Sequence, residues 1–340
     1  MRGATKELGI WLYAFGYFAA YAPYSALTKL VSQGRFPGMT RAVDGFELLP
    51  ITTAASFVGM VIFLTVKGYW RYAGKRTLFG RELPCPGIWT FLSGIATAAI
   101  IATTTLAYTF EGVSIVFMML LMRGGVLVLA PIVDVLSRRT VRWFSWLALG
   151  LSLAALLVAV TSGASTKITL VATLDVVIYL TGYFVRLRFM SRNAKSSDRD
   201  TSIRYFVEEQ MVATPAIVLF LALMAAIGYG KTMLAVRAGF VDIWSSGAVA
   251  VSILIGVLSQ GTGIFGALIL LDGRESAFCV PVNRASSVLA GVLASGALVA
   301  LGYSKRIAPT ELLGAGLMIA AIAVLAAPTI LAAKSKKPSA

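Results

Sequence analysis

Two arginines, Arg123 and Arg284, stand inside long apolar runs that carry almost no other charge. An arginine at the bilayer centre costs about 2.5–3.5 kcal/mol on insertion scales, so such a residue turns toward a polar cavity or a partner. Its planar guanidinium matches a carboxylate or phosphate through two parallel hydrogen bonds. One reading of the pair is therefore an anion site. The other is a structural ion pair, with Asp175 or Asp134 as the counter-charge. Arg284 falls nearer the expected cytoplasmic end of its run, where a long side chain can also snorkel to the surface. Asn283 beside it is a further polar candidate. Asp175 is the one carboxylate well inside an apolar run, and it reads either as a coupling protonation site or as an arginine's partner.

Tyrosines form the second set of candidates. Tyr13, Tyr17, Tyr21 and Tyr24 recur at offsets of 4, 4 and 3, which place them on one helix face. Asp175, Tyr179, Tyr183 and Arg186 repeat the pattern later in the chain. A tyrosine hydroxyl in hydrocarbon needs a hydrogen-bond partner. Both stripes are therefore expected to face inward, lining a cavity or bonding neighbouring helices. Lys29 and Arg186 near the ends of these runs read as charged vestibules or as interfacial anchors. Glu47 and Glu209 are placed at the start of their runs, where the helix dipole favours an acid; a gate salt bridge is the alternative. Gly94, Gly256, Gly261 and Gly263 suit close helix packing. Trp70, Trp143, Trp146 and Trp244 read as interfacial belt residues.

The elements that must position these groups follow from composition. Of 340 residues, 58% are hydrophobic and 13% charged, against about 25% charged in a typical soluble chain. A membrane span needs about 20 apolar residues. Ten runs meet the pattern, near 9–31, 47–66, 88–110, 113–136, 143–162, 168–190, 208–230, 247–271, 276–302 and 310–333. With the N-terminus inside, cytoplasmic segments hold 20 of the 30 Lys and Arg and outer segments hold 8. Both termini are then cytoplasmic, and the net charge of +15 reflects basic loops rather than nucleic-acid binding. The chain has no histidine and two distant cysteines, Cys85 and Cys279. That removes His-based metal sites, Ser-His-Asp chemistry and disulfide frameworks. No cofactor or metal is expected, and no enzyme activity.

A shift of 162 residues superimposes the two halves. Tyr17 falls on Tyr179, Tyr21 on Tyr183, Glu47 on Glu209 and Gly94 on Gly256. A one-residue slip pairs Glu111 with Asp272, Gly112 with Gly273 and Arg123 with Arg284. Matches of charged and aromatic residues at one offset point to an internal repeat, 1–164 and 165–340, forming one membrane domain. Five spans per half is an odd number, so the second half enters the membrane in the opposite sense. The expected fold class is an all-α polytopic membrane protein of ten helices in a five-plus-five inverted repeat, an architecture of many secondary transporters.

Here the chain resembles the drug/metabolite transporter superfamily, which includes EamA-type exporters and nucleotide-sugar transporters. The segments that carry the likeness run from Met119 to Val160 and from Pro281 to Ala327. Each shows a span with polar or small residues, a short turn and a Gly-containing terminal span. Met122-Arg123-Gly124-Gly125 is similar to the Leu-Arg-Gly of some members. Where many members carry Glu at the end of the fourth span, Ser137-Arg138-Arg139 stands here. The resemblance implies alternating-access exchange or export. With Arg123, Arg284, Tyr17, Tyr21, Tyr179, Tyr183 and Asn283 as candidate binding residues, the expected solute is a small organic anion, such as a nucleotide sugar or a phosphorylated or carboxylated metabolite. The alternatives are export of amino acids or amphipathic cations coupled through Asp175, and flipping of a lipid phosphate. The expected partners are the solute and the bilayer, with no nucleic acid; a homodimer stays open, and a bacterial inner membrane is the expected location.

Overall fold

The computed structural model describes residues 2–78, 81–111, 113–136, 143–161, 169–194, 198–272, 276–304 and 306–335. Eleven α-helices dominate them: α1 Arg2–Ser32, α2 Gly45–Val66, α3 Ile88–Leu106, α4 Ile115–Leu136, α5 Trp143–Thr161, α6 Leu170–Asn193, α7 Arg199–Ile227, α8 Gly230–Val241, α9 Val249–Leu270, α10 Ser276–Ala300 and α11 Pro309–Ser335. Every apolar run in the sequence falls on a helix. Seven helices (α2, α3, α4, α6, α7, α9 and α10) are long and apolar enough to cross a membrane. The chain is an all-α membrane protein.

The helix faces show which solvent the fold expects. On α6, Asp175, Tyr179, Gly182, Tyr183 and Arg186 are buried, while Leu170, Leu174, Val177 and Ile178 are exposed. α1 behaves alike: Tyr17, Tyr21 and Tyr24 are buried, and Trp11, Leu12 and Phe15 are exposed. Polar groups inside and large apolar groups outside suit hydrocarbon, where each polar atom needs an internal partner. The expectation that the tyrosine stripes face inward therefore holds. Trp143, Trp146 and Trp244 are exposed, as belt residues should be.

Local chemistry sets several helix ends. Asp44 caps α2 by accepting from the Phe46 N–H at 2.8 Å. Asp198 caps α7, accepting from the N–H groups of Asp200 and Thr201 and from the Thr201 hydroxyl. Those three bonds hold the Asp198 carboxyl below the usual aspartate range, the Thr201 hydroxyl contributing most. Gly228 ends α7 in the left-handed conformation, φ +61°.

Two segments depart from their reading as plain loops. Residues 67–87 contain a 3-10 turn, Tyr69–Tyr72, and an antiparallel hairpin of β1 Lys75–Leu78 and β2 Arg81–Pro84. Thr77 and Leu83 supply strand-compatible side chains, and the segment is too polar to span. The stretch after α7 holds the short helix α8, which packs against α2 and α7 through Val236. Gly112, Gly273 and Ser137-Arg138-Arg139 lie outside the described residues.

The chain forms two compact units. The first comprises residues 1–22, 112–168 and 265–340, so it holds the start of α1, α4, α5, the end of α9, α10 and α11. Within it α5 packs on α11, and α10 packs on α4 and α11. The second comprises residues 23–111 and 169–264, holding the rest of α1, α2, α3, α6, α7, α8 and most of α9. Its core gathers Leu49, Ala98, Leu106, Ile217, Leu221 and Val236. Each unit draws helices from both halves of the sequence.

Candidate functional site

Arg123 and Arg284 each occupy the third turn of their helices, α4 and α10 in the first unit. Arg123 is 2% exposed and Arg284 fully buried. Snorkelling is thereby ruled out for Arg284, because its guanidinium never reaches the surface. The Arg123 Nη2 donates to the Tyr21 hydroxyl. Its Cζ also lies 5.1 Å from the Tyr21 ring centroid, a cation–π distance. Tyr21 in turn meets Tyr17, ring centroids 5.2 Å apart.

Tyr17 leads to α9 and α10. A methyl group placed on Gly266 would stand 2.9 Å from the Tyr17 ring and 3.2 Å from Asn283 Nδ2. Asn283 Nδ2 donates to the Gly266 carbonyl at 3.5 Å, a long bond. Asn283 is 2% exposed, and its Oδ1 accepts from none of the described residues. Arg123, Tyr21, Tyr17, Gly266 and Asn283 thus form one chain of contacts, contributed by α4, α1, α9 and α10. A guanidinium, two phenols and an amide in a buried setting can hold an anion and a polar substituent on it.

The remaining candidates sit on α6 in the second unit. The Tyr179 and Tyr183 rings meet at a tilt of 52°, with centroids 4.7 Å apart. Asp175 is 4% exposed, and neither carboxyl oxygen has a hydrogen-bond partner among the described residues. No cation reaches it there. As for the other proposed counter-charge, the Asp134 side chain lies outside the described residues.

Two charged residues read as vestibule charges or interfacial anchors prove to be internal. Arg186 donates from Nε to Glu209 Oε1 at 3.0 Å and from Nη2 to Oε2 at 2.7 Å. Ser93 donates to the same carboxylate at 2.6 Å, and its hydroxyl is 2.7 Å from that of Tyr205. Glu209 is not at a helix start: it follows Arg199, the first residue of α7, by ten positions. The mostly polar segment 199–205 extends α7 beyond its apolar run, which is why the acid seemed to open it. Lys29 is 8% exposed and donates to the Phe110 carbonyl at 2.8 Å. Glu47 does sit in the first turn of α2, but it also pairs with Arg41.

Glu208 and Gly266 are absent from the sequence reading. Glu208 accepts from the N–H groups of Gly74 and Gly87 at 3.0 Å each, from Thr90 at 2.7 Å and from Arg204 at 2.7 Å. It clasps both ends of the β-hairpin segment to α7. An acid adjacent to Glu209 looks like a solvated loop charge in sequence. Gly266 is one of several glycines in an apolar run, with no spacing that singles it out.

No family model matches the chain, and no curated protein matches its sequence. One solved structure, a crystal structure of a protein, aligns over 97% of this chain and 99% of its own, with a TM-score of 0.51 and 14% identity. At that identity the likeness is one of fold.

Proposed function

We propose that this protein is a ten-span secondary transporter of the drug/metabolite transporter type that moves a small organic anion by alternating access. The observation that carries the reading is Arg123: a guanidinium buried in a membrane helix and set against a tyrosine pair rather than at a lipid interface. Such a group offers a planar fork to a carboxylate or phosphate. The inverted repeat is supported by packing. Gly94 of α3 lies against Val212 of α7, and Gly256, 162 residues on, lies against Thr52 of α2. These two contacts fall on helix pairs, α3–α7 and α9–α2, that the expected repeat would relate. Two near-equivalent halves can trade conformations, which gives inward-open and outward-open states of similar energy. Cytoplasmic termini and a bacterial inner membrane belong to the same reading.

The test is ligand-induced stabilisation of the purified protein with nucleotide sugars, phosphorylated sugars and carboxylates, followed by uptake into vesicles. Binding to the folded state raises apparent stability by mass action. An anion-dependent rise that is lost in Arg123→Ala, with unliganded Tm kept within a few degrees, supports the assignment. Uptake unchanged in Arg123→Ala sinks it.

Asp175 favours a second reading, export of amines or amino acids. A buried carboxyl with no hydrogen-bond donor among the described residues suits a cationic ligand. Stabilisation by cations alone, abolished in Asp175→Asn and indifferent to Arg123→Ala, would replace the anion by a cation.

A further inference from the structure

We infer that the transported anion carries a hydroxyl or N–H donor in addition to its acid group, and that Asn283 reads this donor through Oδ1. The inference rests on the anion reading of Arg123 and adds the chemistry of the rest of the ligand. Asn283 is 2% exposed, so its amide is out of reach of bulk water. Gly266 fixes which way the amide faces. Its carbonyl is an acceptor, so the NH2 end must turn to it, as the 3.5 Å contact records. The acceptor end is then left over, and none of the described residues donates to Oδ1. A buried amide oxygen with no donor is costly to the protein. A ligand that brings a donor removes that cost, and a ligand that lacks one leaves it standing.

Place and spacing agree. Asn283 reaches Arg123 through a short relay: Gly266, the Tyr17 ring and the Tyr21 ring, the two rings 5.2 Å apart and the guanidinium 5.1 Å from the second. All five residues belong to the first unit. Gly266 is what permits the arrangement. Any side chain there would meet both the Tyr17 ring and the Asn283 amide. Selectivity built on a buried hydrogen-bonding group exceeds what apolar shape alone supplies.

The experiment uses the full-length protein in lipid nanodiscs and matched ligand pairs: malate against succinate, and glucose 6-phosphate against its 2-deoxy form. Affinities are read by calorimetry. In the unaltered protein, at least one hydroxylated member should bind about tenfold or more tightly than its deoxy partner. In Asn283→Ala the preference should fall to near unity, with the deoxy member still bound within about threefold. Equal affinities within both pairs in the unaltered protein overturn the inference without any variant. A preference that survives in Asn283→Ala overturns it too, while leaving the anion site standing. Failure of every anion to bind, or binding untouched by Arg123→Ala, instead overturns the anion reading beneath it.

Discussion

Arg186 and Glu209 show how burial decides what an ion pair contributes. Their side chains are 7% and 1% exposed, and two hydrogen bonds join them. Desolvating two charges offsets most of their attraction, so the pair adds little as a pair. Removing one partner is different, because the other charge stays buried and uncompensated at a cost of about 3–5 kcal/mol. Arg186→Ala and Glu209→Ala should each lower stability by about that much, measured by unfolding in SDS. The double variant Arg186→Leu/Glu209→Leu should lose less than either single one. Losses that simply add in the double variant would show that the two do not act as a pair. Arg41–Glu47 supplies the contrast. Glu47 aligns with Glu209 at the 162-residue offset, yet Arg41 is 44% exposed and solvent screens its side of the bridge. Glu47 is itself 6% exposed, so Arg41→Ala should cost less than Arg186→Ala but more than the loss of a bridge exposed on both sides. The Glu47–Glu209 correspondence was legible as a constant offset of 162 residues. Their partners were not, since Arg186 meets Glu209 only once α6 and α7 pack.

At the scale of elements, hydropathy located the helices and small residues located their contacts. All the long apolar runs became helices, because a backbone in hydrocarbon must bond within its own segment. What hydropathy could not place was the polar connecting structure. The β1–β2 hairpin depends on Glu208 gripping Gly74 and Gly87, and α8 depends on a groove made by α2 and α7. Close packing holds for Gly94 and Gly256 but not for Gly263, where the nearest neighbour to an added methyl is the Gln260 side chain of its own helix at 3.9 Å. A methyl on Gly94 would come within 2.5 Å of Val212 Cβ, and one on Gly256 within 2.4 Å of the Thr52 carbonyl oxygen. Backbone and branched carbons cannot step aside, so Gly94→Val and Gly256→Val should push α3 from α7 and α9 from α2. Overpacking of this kind costs about 1–3 kcal/mol, and more where backbone is struck. Gly150 of α5 and Gly316 of α11 face open space. Gly150→Ala and Gly316→Ala should be neutral, or stabilise by up to about 1 kcal/mol through helix propensity. Thermal unfolding of the four variants separates the classes, and a Gly256→Val as stable as Gly316→Ala would refute the close-packing role. The candidate site divides in the same way. Arg123 and the tyrosine stripe stood out by charge and spacing, and both proved buried. Gly266 did not, because its importance lies in what it leaves room for.

The whole molecule raises a question that neither residues nor helices answer: whether the sequence halves are folding units. The proposed repeat divides the chain near residue 164, but packing divides it otherwise. In the first unit α5 from the first half lies along α11 from the second, and α4 lies along α10. In the second unit α3 packs on α6 and α7, and α2 packs on α7 and α8. Each unit would lose much of its interior if one half were removed. Polar groups such as Glu209 and Ser93, or Ser56, which donates to the Gly256 carbonyl at 2.7 Å, would then face lipid without partners. The halves are therefore expected to be interdependent even though each carries five spans in the proposed repeat. Expressed alone, residues 1–161 or 169–340 should be degraded or elute as aggregate. Co-expressed as separate chains, they should assemble into one monodisperse species with a Tm near that of the intact protein. The cut lies between α5 and α6 and leaves both described helices whole. If either half alone gave a monodisperse and cooperatively unfolding protein, the interleaved packing would not be what holds the fold. Assembly in the co-expressed pair should also fail with Gly256→Val on the second chain. That substitution strikes α2 of the first chain, so its effect would tie reassembly to the α2–α9 contact rather than to generic association of apolar helices.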